Sequence, residues 1–376
     1  MWQEKAYFRI KNNCTCNNNN RLHFFRYMLE QILNAYNLPP SEYEVAGHGA
    51  GLINHTYTVT GKDKTYILQQ INVNVFKTPE DIAGNLSLIS KYLKVTQPDY
   101  LFVVPIPATD GRLMVKSETG ELYRLFPFIT GSKTITTITD IRAAYEAAKQ
   151  FGLLTRLLKD FDPAPLKYTL PDFHNLKLRY EQFEQAEASA SKERKEAAAT
   201  EIAEIYAHKD ILKTYLQLIE NKTLSLRVIH HDTKISNVLF DNDNNGICAI
   251  DLDTLMPGYF ISDTGDMLRT YLSPAGEETP NLSEVYIRED FFEAIYKGYM
   301  SEMKEVLSPA EKQYFLFSGE MMMYMQAIRF LADFLNNDVY YGTSYPGQNL
   351  VRAKNQLHLL KEYIAAAPRL QELMNH

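Results

Sequence analysis

Cysteine is scarce in this chain of 376 residues: Cys14, Cys16 and Cys248 are all it has. So sparse and odd a set excludes a disulfide framework and fits a reducing compartment. Cys14 and Cys16 form a C-x-C pair with no second pair elsewhere, a weak metal-site signal against the plain reading of two free thiols in a loose tail. No stretch approaches 18 consecutive apolar residues, so no transmembrane helix is expected. The start lacks a charged segment followed by an apolar core and a small-residue cleavage site, so secretion is unsupported and cytoplasm is the default. Basic runs are missing too. With 39 basic and 46 acidic residues and a net charge of −7, an extended nucleic-acid surface is not expected. No membrane or protein partner is signalled. A small anionic substrate stays open, because local cations and a metal override net charge. What the chain does have is ordinary globular material, 45% hydrophobic and 23% charged, enough for a sizeable core. Its length suits two or three domains or one bilobal enzyme.

Lys11–Asn20 carries six asparagines. Such polar sequence cannot bury enough apolar area to offset its ordering entropy. Residues 1–21 are therefore expected to be a disordered tail or an overextended start of translation. Leu22–Ala35 has apolar residues at three- and four-residue spacings, which predicts a helix ending before Pro39–Pro40. Tyr43–Gly47, Thr56–Thr60, Thr65–Gln70, Leu101–Val104 and Leu122–Phe126 read as strands, with a helix over Thr78–Leu93. From Ile138 the texture is helical: Ile141–Leu158 behind an Asp140 cap, Tyr180–Ile219, Phe291–Met303, Tyr314–Leu335 and Leu350–Ala365. The expectation is an α+β, bilobal, protein-kinase-like fold. A β-rich N-lobe would span 22–126 and a helical C-lobe 127–376.

The helical texture breaks once, at Leu226–Asp253. There the pattern is strand, polar loop, strand, turn, strand, carboxylates. His230, Asp232 and Asn237 match H-x-D-x-x-x-x-N, and Asp251 follows Asn237 by fourteen, in the manner of a kinase catalytic loop and its metal-binding Asp. Phosphoryl transfer needs a carboxylate to hold the acceptor hydroxyl and oxygen ligands for Mg²⁺ on the nucleotide phosphates. Asp232 suits the first task, Asn237 and Asp251 the second. The plain alternative is two turn formers and a strand end. His230 reads as structural, tying the loop together. Lys234 either reaches the transferring phosphate or the base, or is an exposed lysine. Asp263 and Asp266 lie where a helix starts, and a capping role is expected for Asp266.

Gly47, Gly49 and Gly51 sit between two predicted strands, about 180 residues before that loop. Glycines let backbone amides approach phosphate oxygens. A plain glycine-rich hairpin is the competing reading. Asn54 either holds the turn or contacts ligand. The next strand departs from the protein-kinase pattern: Gln69 and Gln70 stand where a lysine belongs. Either phosphates are held by metal and backbone, or the protein is a weakened or inactive kinase. Intact Asp232, Asn237 and Asp251 favour activity.

At this point the residues resemble the aminoglycoside phosphotransferase and choline kinase superfamily, and within it the N-acetylhexosamine 1-kinase group. The stretches that carry this are Gly49–Tyr57, Tyr66–Pro79, Tyr123–Gly131, His231–Arg269 and Arg329–Asn349. The resemblance implies ATP and Mg²⁺, with the γ-phosphate passing to the anomeric hydroxyl of N-acetylglucosamine or N-acetylgalactosamine. It implies Asp232 as base, Asn237 and Asp251 on the metal, and Tyr123–Phe128, including Phe126, as an interlobe hinge along the adenine. Arg329 and Tyr340 resemble sugar-recognition positions. Arg329 interrupts an apolar helix, where a charge is costly unless paired or facing a ligand; a salt bridge to Glu320 or Asp333 is the alternative. Tyr340 is a stacking or a packing tyrosine. A kinase of choline, an amino alcohol or an aminoglycoside competes with the sugar reading, as does a non-catalytic nucleotide-binding protein of kinase fold. A sulfatase-like hydrolase is excluded, because no C/S-x-P-x-R is present.

Overall fold

The computed structural model describes residues 18–48 and 54–375, with side chains of the first helix from Tyr27 onward. Cys14 and Cys16, the tail before Asn18, and Gly49 and Gly51 lie outside the described residues. The chain is of mixed α+β class and packs as two compact units. The smaller takes the residues up to Val75 and Val104–Phe128; the larger takes Phe76–Val103 and Ile129 onward.

The smaller unit is a five-stranded antiparallel sheet with one helix. Helix α1 spans Asn18–Ala35, four residues longer at its start than the apolar spacing predicts. The strands are β1 (Glu44–Gly47), β2 (His55–Thr60), β3 (Thr65–Gln70), β4 (Val115–Lys116) and β5 (Leu122–Pro127), in the order β1-β2-β3-β5-β4. Side chains alternate across the sheet. Val59, Leu68, Tyr123 and Leu125 pack with Met28, Leu29, Ile32 and Leu33 of α1 in one buried cluster. The opposite face carries Thr56, Gln69 and Arg124, which stand directly across from one another in the β2–β3–β5 register. The strand expected over Leu101–Val104 is absent. Pro105 and Pro107 bracket Ile106 and offer no N–H, so the segment makes a single bridge, Ile106 to Leu125.

In the larger unit, α2 (Pro79–Thr96) is followed by α3 (Ile141–Leu157), with Asp140 accepting the Arg142 amide as cap. The predicted long helix over Tyr180–Ile219 is four pieces: α4 (Leu176–Ser189), α5 (Lys192–Ala197), α6 (Ala199–Ala207) and α7 (Lys209–Glu220). One break is a restart, where the Ser191 side chain caps α5 through the Arg194 amide. Then come β6 (Arg227–Ile229), β7 (Val238–Phe240), β8 (Gly246–Ala249), β9 (Met256–Gly258) and α8 (Phe260–Tyr271). Helices α9 (Glu289–Met303), α10 (Pro309–Lys312), α11 (Phe315–Leu335) and α12 (Gln348–Met374) complete it. Helix α11 is buried nearly all round and is the unit's centre, against which α4, α8 and α12 pack. Helix α2 belongs here by contact. Its buried Asn85 donates to the carbonyls of Lys167 and Leu255 and accepts from the Lys167 amide. Among the described residues no helix is long and apolar enough to cross a membrane.

Candidate active site

The loop from His230 to Asn237 joins β6 to β7, and Asp251 follows β8. Two short ladders fix both ends: β6 pairs with β9, and β7 with β8. The Ile250 amide donates to the Asn237 carbonyl at 2.8 Å, so Asn237 and Asp251 leave neighbouring strands side by side.

Helix α8 clamps the loop from beneath. Asp263 and Asp266, three apart, share one helix face. Asp263 accepts the His230 amide at 3.0 Å and the His231 amide at 2.7 Å. Two successive amides can aim at one carboxylate because His231 is left-handed, with φ of 68°. Asp266 accepts the Thr233 amide at 2.8 Å and pairs with Arg269 at 3.0 Å. The capping role expected of Asp266 is corrected here: it is the seventh residue of α8, past the first turn, and its carboxylate serves the loop amide and Arg269. The Thr233 hydroxyl donates to the Asp263 carbonyl, and the Tyr271 hydroxyl to the Thr233 carbonyl. Burial pushes the Asp263 carboxyl up to about 6, despite the donated amides.

His230 ties the loop across. Its Nδ1 accepts the Asp232 amide at 3.3 Å, and Nε2 lies 2.8 Å from the Ile250 carbonyl. An amide can only donate and a carbonyl can only accept, so the ring carries its proton on Nε2. The side chain is thereby a structural tie, as its place before the carboxylate suggests. His231 is buried at 5% exposure, with Nε2 at 3.3 Å from the Pro257 carbonyl. Burial holds it neutral, with its pKa lowered to about 4. Gly258 is needed beside it, since a Cβ there would stand 2.5 Å from the imidazole.

Asp232 is partly buried. One carboxylate oxygen, Oδ2, pairs with Lys234 Nζ at 3.1 Å. Burial works against the Lys234 charge, but Asp232, then Asp251 and Asp266, outweigh it and raise the ammonium pKa. Asn237 donates from Nδ2 to the Asp232 carbonyl at 2.9 Å, which turns Oδ1 the other way. Asp251 is exposed and left-handed, with φ 57° and ψ 54°. His231 and Asp251 are two of the eight described non-glycine residues with positive φ, and each stores backbone strain of about 1–3 kcal/mol. An amide oxygen and a carboxylate are hard donors, and they fit Mg²⁺ completed by phosphate and water oxygens.

A second cluster adjoins the loop. The His231 ring lies 5.5 Å from His174, which stacks on Phe173 at 4.3 Å. The Arg329 guanidinium sits between rings, 5.6 Å from Phe173 and 5.4 Å from Tyr341. Its Nη1 donates to Gln326. Neither Glu320 nor Asp333 pairs with it among the described residues. Asp333 instead accepts the amides of Tyr340 and Tyr341 and the Asn349 side chain. Tyr340 is 74% exposed and meets Tyr341 edge-on at 4.9 Å. Arg179 is close by, its pKa lowered by burial and then by the Arg329 charge. Phe173, His174 and Arg179 escaped the sequence reading. An aromatic pair before a helix and one arginine within it are weak signals.

The residues expected at the nucleotide belong to the smaller unit. Gly47 ends β1 opposite Tyr57, with open space where a side chain would go. Asn54 is buried and accepts the Asn72 amide at 3.0 Å through Oδ1. Phe126 lies in β5, opposite Ile67.

The model of the phosphotransferase enzyme family matches residues 44–299. Among solved structures, a microcompartment-associated aminopropanol kinase is 16% identical over 92% of this chain and 98% of its own, with a TM-score of 0.62. Spectinomycin phosphotransferase, in complex with ADP and spectinomycin, is 16% identical over 91% and 98%, at 0.55. A choline kinase from Cryptosporidium parvum is 15% identical over 96% and 100%, at 0.54. At such identities these likenesses are of fold. The family match covers well over half the sequence and includes the loop from His230 to Asn237, Asp251 and the helix that clamps the loop: the chain belongs to the phosphotransferase enzyme family.

Proposed function

We propose that this chain moves the γ-phosphate of ATP, with Mg²⁺, to the anomeric hydroxyl of an N-acetylhexosamine. Asp232 would hold the acceptor hydroxyl and take its proton, and Lys234 would steady the charge that develops. Asn237 Oδ1 and Asp251 would hold the metal, which neutralises phosphate charge when bound. Gly47, Gly49 and Gly51 would cradle the nucleotide, and Phe126 would flank the adenine. Arg329 and Tyr340 would contact the sugar.

The observation that carries the acceptor class is Arg329 between Phe173 and Tyr341. A choline-type site needs aromatic faces for the ligand's own cation. Here the protein's guanidinium already occupies them, with Arg179 beside it. Two cations next to the catalytic loop disfavour a protonated amino alcohol or aminoglycoside and suit a neutral acceptor rich in oxygen. The anomeric position rests on the resemblance of His231–Arg269 and Arg329–Asn349 alone.

The test is ADP release with N-acetylglucosamine, N-acetylgalactosamine, glucosamine, ethanolamine and choline. Turnover with the N-acetyl sugars is expected. Turnover with choline or ethanolamine alone overturns the acceptor assignment. ATP binding without turnover on any acceptor favours the non-catalytic reading. Asp251→Ala should remove Mg²⁺-dependent ATP binding, and unchanged affinity by calorimetry would sink the metal assignment.

A further inference from the structure

One device holds two loops of the larger unit. Asp263 of α8 takes two successive amides, those of His230 and His231, and so fixes the loop that carries Asp232. Asp333 of α11 does the same for the loop that follows its own helix. Its Oδ1 accepts the Tyr340 amide at 2.8 Å and its Oδ2 the Tyr341 amide at 3.0 Å. Oδ2 also accepts from Asn349 Nδ2 at 2.9 Å. The chain can turn back to Asp333 because Asn337 and Asp338 are consecutive left-handed residues, with φ of 66° and 60°. The Asp338 amide donates to the Asp333 carbonyl at 2.8 Å and closes that turn. Helices α8 and α11 pack on one another. At Gly265, between Asp263 and Asp266, they come so close that a Cβ would run into the Ser318 carbonyl oxygen. Both carboxylates therefore stand on one packed pair of helices.

Asp333 is 6% exposed, and among the described residues no lysine, arginine or histidine pairs with it. It lies in the last turn of α11, where the helix dipole disfavours a negative charge. Burial adds to that cost. An asparagine would avoid both costs, but it has a single acceptor oxygen, and here each oxygen faces a different tyrosine amide. The tip of the loop gains little from packing, since Val339 is 79% exposed and Tyr340 74%. The hydrogen bonds to Asp333 set its path instead. That path brings the Tyr341 ring to 5.4 Å from the Arg329 guanidinium. Gln326 bridges the two, donating to the Tyr341 hydroxyl and accepting from Arg329.

We infer that Asp333 is the positioning residue of the acceptor site: through the Tyr340 and Tyr341 amides it sets the tyrosine pair beside Arg329, on the same helix pair that sets Asp232. An acceptor meeting Tyr340 and Arg329 is thereby offered to the base in one orientation. The inference deepens the reading of Arg329 and Tyr340 as acceptor contacts and rests on it.

The experiment is steady-state kinetics of the full chain with ATP and the acceptor panel, beside a denaturant melt and amide hydrogen exchange at Tyr340 and Tyr341. In Asp333→Asn the acceptor KM should rise roughly tenfold, the scale of one charged hydrogen bond. The kcat and the ATP KM should move by less than about threefold, as expected when uniform acceptor binding is lost. Exchange at one or both tyrosine amides should quicken. Tyr340→Ala should raise the acceptor KM in the wild-type background and add little in Asp333→Asn, because both act through one side chain. Should Asp333→Asn not fold, Asn349→Ser removes one bond to Asp333 and should raise the acceptor KM about two- to fivefold. A melt shifted with acceptor KM in place, or additive effects of the two substitutions, overturns the inference. Wild-type chain that turns over choline or ethanolamine alone overturns the acceptor assignment instead, and the same split is then read on that acceptor. No turnover on any acceptor overturns the phosphotransfer reading and the inference with it, so the failures are distinct.

Discussion

The proposed catalytic loop of the larger unit and the polar row of the smaller one are held in different ways. In the loop, carboxylates and a histidine grip main-chain atoms: Asp263 holds the amides of His230 and His231, Asp266 that of Thr233, and His230 that of Asp232. In the row, Thr56, Gln69 and Arg124 meet one another side chain to side chain. A loop tied through its backbone keeps its shape when one of its own working side chains is changed. A row tied through side chains shifts when any member is changed. Rate should therefore separate from stability in the loop.

The largest effect should come from Asp232→Asn. It is expected to cut kcat by about 10²–10⁴-fold, the usual worth of a positioned base. Unfolding by denaturant should move little, because the Asp232 main chain makes the structural contacts. A large loss of stability would break the comparison. Next is Asp263→Ala, which strips the acceptors from two buried amides at about 1–3 kcal/mol each. A loss of about 2–5 kcal/mol is expected in guanidinium melts, with Asp263→Asn milder.

His231 gives a pH signature. Its folded pKa, about 4, lies below the unfolded 6.5, so its contribution is present above pH 6.5 and lost as pH falls towards 4. Asp263 works the other way. Its folded pKa of about 6 exceeds the unfolded 3.8, so its contribution is full below 3.8 and lost as pH rises through 6. His231→Asn suits the left-handed backbone and removes the first term only. Between pH 6.5 and 4 the variant's stability should rise against wild type by about 1.4 kcal/mol per unit at most. Parallel curves across that window would show that His231 is not the buried neutral group. The smallest effect is expected from Thr56→Val: removing the end of the row should lower stability by roughly 0.5–1 kcal/mol in a denaturant melt, the worth of one neutral hydrogen bond. No change in the melt would mean that Gln69 is set without Thr56.

The same contrast explains what could be read from the sequence. The loop is one continuous segment, so Asp232, Asn237 and Asp251 keep fixed spacings that a motif can register. The three strands around Gln69 were visible as alternating runs, because only one sheet face is buried. The Gln69–Arg124 contact was not, because the two are 55 residues apart in sequence and meet only through strand register. Phe173, His174 and Arg179 escaped for a related reason, since their meaning comes from Arg329, 150 or more positions later. The missing strand at Leu101–Val104 was a failure to weigh two prolines against an apolar run.

Those two prolines have a consequence of their own. Strand β4 has only two residues, and the segment beside it on β5 is closed by a single bridge at Ile106. With Pro105 and Pro107 unable to donate, this side of the sheet presents no continuous row of amides to a passing extended chain. The fold thus guards one flank against edge-to-edge aggregation. Replacing both prolines with β-branched residues should lengthen that flank into a template, seen as loss of monodispersity at high concentration.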